Sequence, residues 1–163
     1  MLRTLFKERS ALERYKELIE EILSGLGIDP EENREEIPGE RAYSWCVQRG
    51  SATVFIELLS EQEEGYFMVD CPILLLPSVG LERFFRRLLE LNDRLVEATL
   101  TLRGTEVHLV GIRPLKGMDA GEAEEMIDRI SAYADNLDNQ LSDEFGAPLW
   151  GGGDRGTWPQ AVD

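Results

Sequence analysis

The chain has 163 residues, of which 42% are hydrophobic and 30% charged, and its formal net charge is −15. A single core can stabilise a domain of this length without disulfides or a metal, and the apolar content excludes a disordered chain. The carboxylate excess repels phosphates, which argues against nucleic acid and anionic membranes as partners, and the longest aliphatic run, Ile73 to Leu76, is far short of the roughly 20 residues that span a bilayer.

The amino terminus, MLRTLFKERSALERYK, places no apolar stretch before its charges. It predicts neither a secretory signal nor a transit peptide, hence a cytoplasmic protein. Leu12, Tyr15, Leu18, Ile19, Ile22 and Leu26 recur at three- and four-residue steps and predict a first helix over roughly 5–26, ended by Gly25 and Gly27. The acidic stretch DPEENREEIPGER, residues 29–41, reads as a surface connection.

A hairpin follows. With Gly50-Ser51 as its turn, Val47 faces Val54, Trp45 faces Ile56 and Tyr43 faces Leu58 on one side. On the other side Gln48 faces Thr53, Cys46 faces Phe55 and Ser44 faces Glu57. One register sorts these residues by polarity, which is what fixes a register. A third strand is predicted over 66–76, ending in the continuously apolar CPILLLP. Ser78 is the expected cap of a second helix over about 79–94. Its apolar positions Leu81, Phe84, Phe85, Leu88, Leu89, Leu91 and Leu95 cover an arc of roughly 160°, wider than one buried stripe needs.

A second hairpin comes next, with Arg103-Gly104 as its turn. It pairs Leu100 with Val107 and Ala98 with Leu109, and on its reverse side Thr101 with Glu106, Thr99 with His108 and Glu97 with Val110. Asp119 and Glu122 form a capping box for the last helix. Its stripe of Ala123, Met126, Ile127, Ile130, Ala134, Leu137, Leu141 and Phe145 reaches Gly146. At 1.5 Å per residue this is a rod of roughly 40 Å, expected to project or to pack on a second molecule. The expected division is therefore a folded domain over 1–146 and a Gly-rich tail over 147–163, APLWGGGDRGTWPQAVD.

The element order, helix, three strands, helix, two strands, helix, carries a resemblance in CPILLLPSVGLERFFRRLLELNDRLVEATLTL and RGTEVHLVGIRPLKGMDAGEAEEMIDRI. With the hairpin before them, these segments resemble the YbjN family, whose fold is similar to that of type III secretion chaperones. The closest stretch is Leu88 to Arg113, and the resemblance covers about residues 5–145 without the tail. It implies an α+β fold with a five-stranded antiparallel sheet and three helices, a homodimer, and a role in binding other proteins. Some members of that family are described as sensory or stress regulators. The family has no settled reaction, so no catalytic residue and no cofactor carries over.

Three surfaces are candidates. The wide arc of the second helix places Phe84, Leu88 and Leu95 on the sheet and offers Phe85, Leu89 and Leu91 to a second subunit; alternatively one concave sheet buries the whole arc. Cys46, Phe55 and Val110 stand on hairpin sides otherwise held by polar residues including Thr99 and His108, which suits a partner segment laid across the sheet or added to its edge. The other reading is helices on both faces, or scattered surface hydrophobes. Trp150 and Trp158 in the tail are candidate anchors, if the tail is ordered at all.

The crowded carboxylates of the last helix attract a basic or amphipathic partner or simply keep the chain soluble. No EF-hand pattern surrounds Asp135, Asp138 and Asn139. Cys46 and Cys71, 25 positions apart without a CxxC, read as reduced thiols. A zinc site made from them and the lone His108 needs an added carboxylate, so no metal or cofactor is expected. The reading that results is a non-enzymatic chaperone-like or regulatory adaptor. Its rivals are a small thiol- or histidine-dependent hydrolase and a ligand-sensing regulator.

Overall fold

The computed structural model describes residues 2–35, 43–61 and 64–152. It is α+β, with α1 (Leu2–Gly25), β1 (Arg34–Glu35), β2 (Tyr43–Arg49), β3 (Ala52–Glu61), β4 (Glu64–Leu75), α2 (Leu81–Asn92), β5 (Thr99–Arg103), β6 (Glu106–Pro114) and α3 (Ala120–Phe145). The strands form one open antiparallel sheet in the order β1-β2-β3-β4-β6-β5. Six strands replace the expected five. The addition is β1, a two-residue strand inside the stretch read as a loop, which pairs Arg34 with Trp45 and Glu35 with Ser44.

The β2–β3 hairpin takes the expected register, Tyr43 with Leu58 through Gln48 with Thr53. The β5–β6 hairpin does not. Leu100 pairs with Leu109 and Thr101 with His108, so the turn moves to Gly104-Thr105, where Gly104 adopts φ +58°. The slip is two residues, an even number, and every side chain therefore keeps its expected face.

Side chains alternate across the sheet, and one set meets the helices. Trp45, Ile56, Leu58, Phe67, Val69, Leu100, Val107 and Leu109 join Ile19 and Leu23 of α1, Phe84 and Leu88 of α2, and Ile127 and Ile130 of α3 in one core. Helix α3 crosses β4, β6 and β3, α1 lies over β3 and against α3, and α2 lies over β5. Gly111 of β6 permits this close approach: a Cβ there would stand 2.9 Å from the Met126 methyl and 3.1 Å from the Glu97 carbonyl. Asp119 caps α3 with the expected capping box, and Gly146 ends it in the left-handed conformation. The end of α3 does not project: Phe145 packs edge-on against Phe84 of α2 at 5.1 Å, and Arg87 bonds Glu144 at 3.3 Å. The cap of α2 is Gly80 at φ +73°, with no side-chain bond, so Ser78 does not have the capping role expected of it.

The tip of the β2–β3 hairpin is tied to α3. The Ser51 amide and hydroxyl donate to the Asp135 carboxylate at 2.8 and 2.7 Å, and the hydroxyl also reaches Asp138 at 3.0 Å. Arg49 bonds Asp128 beside them. These carboxylates hold a turn in place. Others on the same helix meet arginines: Glu122 with Arg113, Glu125 with Arg129 and Glu144 with Arg87. Part of the acidic face is thus neutralised from within the chain.

The Ser51 hydroxyl, followed by the Ser51 amide, holds the Asp135 carboxyl below the ordinary carboxylate range. A depressed folded-state pKa stabilises the fold above the unfolded value, and that contribution disappears as pH falls through the folded value. Ser51→Ala removes the larger donor and leaves the amide. An NMR titration of the Asp135 side chain should show its midpoint rising toward the usual aspartate value; an unmoved midpoint would remove the hydroxyl as its cause.

Candidate functional site

The second face of the sheet carries no helix among the described residues, yet it is not an ordinary wet face. Ser44, Phe55, Glu57, Met68, Asp70, His108 and Val110 each keep less than a tenth of their surface exposed. The register explains how they meet. Cys46 of β2 pairs with Phe55 of β3, Phe55 with Asp70 of β4, Asp70 with Val110 of β6, and Val110 with Thr99 of β5. Four of the five residues singled out for this face, Cys46, Phe55, Val110 and Thr99, thus stand in one unbroken row across the sheet, with Asp70 at its centre. The fifth, His108, sits in the next row, opposite Pro72 and Thr101. Thr99 is exposed and Cys46 half-buried, whereas His108 is sealed.

Asp70 is the residue that the sequence reading missed. Its carboxylate, wholly buried, accepts from Arg103 at 2.5 Å on one oxygen and faces His108 Nδ1 at 2.8 Å on the other. The second ring nitrogen of His108 faces Glu106 at 3.3 Å. Arg103 and His108 thus both face Asp70, and Glu106 faces His108 from its other side. Burying such charges is tolerable only with this kind of pairing. A signal was present in the sequence: Asp70 is the lone charge in the apolar run from Tyr66 to Leu76, and a buried carboxylate requires a partner.

The other oxygen of Glu106 accepts a bond from the Trp150 indole at 3.3 Å. The indole also meets the Phe55 ring edge-on, 6.3 Å between centroids and 87° between planes. The tail's first residues are therefore placed: Leu75 N–H donates to the Pro148 carbonyl at 2.8 Å, Trp150 N–H donates to the Ile73 carbonyl at 3.0 Å, and Leu149 bridges Leu74. Trp158 lies outside the described residues.

The candidate dimer surface divides. Leu91 is buried, 8% exposed, because it follows Phe84 and Leu88 at positions i+7 and i+3 and so shares their inward stripe. It is not available to a second subunit. Phe85 is half-buried against the core. Leu89 is 69% exposed and Leu81 40%; with Phe85 they form an outward i, i+4, i+8 row along α2.

The sheet edge beside that helix is closed. Asn92, the last residue of α2, accepts from the Leu100 N–H at 2.7 Å and donates to the Leu100 carbonyl at 3.2 Å. A side-chain amide here takes both groups that an added strand would use in the middle of β5. The far edge, β1, is only two residues long. Short or plugged edges are how sheets avoid unwanted pairing.

The residues of the thiol-enzyme alternative do not assemble. Cys71 belongs to the core on the helix side, and burial pushes its thiol far up from the ordinary range. His108 points the other way, with each ring nitrogen facing a carboxylate. Cys46 is on the same face as His108, but β3 and β4 intervene, which at about 4.8 Å per strand keeps them roughly 14 Å apart. Among the described residues no three His, Cys, Asp or Glu side chains group as metal ligands, and no helix is long and apolar enough to cross a membrane.

Removing one charge from the buried row should be costly. Asp70→Asn preserves shape and an acceptor for His108 but removes the buried charge that Arg103 faces, a change expected to cost about 3–5 kcal/mol. Urea unfolding measures it, and a loss below about 1 kcal/mol would show that the row is not closed to water. No protein-family model matches the chain, and no curated protein matches it.

Proposed function

We propose that this protein is a non-enzymatic protein-binding module, a chaperone-like or regulatory adaptor of the kind the YbjN resemblance suggests, acting in the cytoplasm as a homodimer. The observation that carries this reading is the outward row Leu81, Phe85 and Leu89 on α2, with Val79, 75% exposed, just before the helix. A helix that already buries Phe84, Leu88 and Leu91 has no need of a second apolar row for its own stability. Exposed apolar side chains set close together commonly mark contact surfaces. Because Asn92 occupies the middle of β5, association through this end of the molecule would use side chains of α2 and not strand pairing.

The sheet face opposite the helices supports the adaptor reading in a second way. Phe55 and Glu106 there hold Trp150 of the chain's own C-terminal segment, so this face already packs an extended polypeptide non-covalently. The hydrolase alternative loses support because its thiols and imidazole stand apart. The partner of the adaptor is a protein, with no nucleic acid or membrane involved.

Leu89→Glu tests the dimer. The side chain is mostly exposed, so the fold should survive, and light scattering at micromolar concentration should give a dimer for the natural chain and a monomer for the variant. A natural chain already monomeric under those conditions would overturn the homodimer.

A further inference from the structure

The outer face is not empty along its whole length. The β3–β4 ladder stops at Phe55 and Asp70, although β3 begins at Ala52 and β4 runs on to Leu75. The hairpin tip before Phe55 is tied by Ser51 and Arg49 to α3, on the opposite side of the sheet. A shift of register between Pro72 and Leu74 bends β4 at the same level. A slot opens where the two strands part, and the chain's own Pro148, Leu149 and Trp150 fill it in antiparallel fashion.

We propose that this slot is a peptide-binding site which the protein's own C-terminal segment keeps occupied, and that the partner it takes is an extended segment with a tryptophan or tyrosine at the place of Trp150. The inference rests on the protein-binding reading and names the class of partner. Two of the resident contacts are main-chain bonds, from Leu75 N–H to Pro148 and from Trp150 N–H to Ile73, and any extended peptide can make both. This is strand addition, in which the backbone supplies affinity and the alternating side chains supply choice.

The choice lies in the third anchor. Phe55 presents its ring to the indole, and Glu106 presents an oxygen to the indole N–H. That oxygen is held in position because the other one faces His108, which is itself fixed by Asp70. A part-buried acceptor at the end of an aromatic slot favours a ring that carries a donor over plain phenylalanine. The resident segment is also a modest ligand: Leu149 is 49% exposed. Its hold comes from the short connection to α3, since a tether of a few residues gives an effective concentration on the order of millimolar. A free partner with the same three anchors and additional contacts can displace it.

The test uses the full chain carrying Trp150→Ala and a fluorescein-labelled peptide of residues 146–152, GAPLWGG, followed by anisotropy. The variant should bind the peptide at least tenfold more tightly than the natural chain does. The same peptide carrying Trp150→Ala should lose at least tenfold on the variant. Equal affinity of variant and natural chain, no uptake by the variant, or indifference to the peptide's tryptophan would each overturn the proposal. Loss of a cooperative thermal transition in the variant would also overturn it, because the segment would then be part of the structural core. Failure here is separable from failure of the broader reading. A natural chain that is dimeric but whose variant takes up no peptide sinks the slot alone, and a monomeric chain whose variant takes up peptide sinks the homodimer alone.

Discussion

Asp70 is the point on which the outer face depends. A carboxylate wholly removed from water at the centre of a six-stranded sheet must have its charge answered locally. Arg103 from β5 and His108 from β6 answer it, so the carboxylate links three adjacent strands through side chains as well as through the ladder. His108 passes the constraint to Glu106, and Glu106 passes it to the indole of Trp150. The placement of the chain's last described residues is therefore connected, atom by atom, to a charge in the middle of the sheet.

The inner face is organised by different means. Three helices bury one continuous core there, and Gly111 lets α3 lie close enough to β6 to do so. The β2–β3 tip is tied to α3, the β3–β4 ladder stops at Phe55 and Asp70, and the segment after Gly146 pairs with the end of β4 beyond that point. Asn92 occupies the middle of the β5 edge, and β1 leaves an edge of two residues on the far side.

Much of this was legible in the sequence, and the misses have physical reasons. Alternation fixed the parity of the β2–β3 pairing, because a one-residue slip would have placed Trp45 and Ile56 on the wrong side, and the Gly50-Ser51 turn set the register. It could not distinguish Arg103-Gly104 from Gly104-Thr105 as the second turn, since a two-residue slip leaves parity unchanged. Strand β1 escaped notice because Arg34 and Glu35 carry no apolar alternation and are held only by pairing with β2. Leu91 was assigned outward from the width of an arc, whereas the i, i+4, i+7 spacing from Phe84 through Leu88 turns it inward. The row Cys46, Phe55, Val110 and Thr99 was visible as one side of two hairpins, but its centre was not: Asp70 belongs to β4, whose partners on either side no local pattern identifies. Trp150 stood out as a large aromatic in a Gly-rich stretch, and its place on Phe55 and Glu106 is a tertiary fact.

The account is tested most directly at the Trp150 indole in solution. Proton NMR of the full chain should show nuclear Overhauser contacts between the indole and the Phe55 ring, with the indole N–H exchanging far more slowly than in a free tryptophan peptide. Exchange at the free-peptide rate with no contact to Phe55 would contradict it.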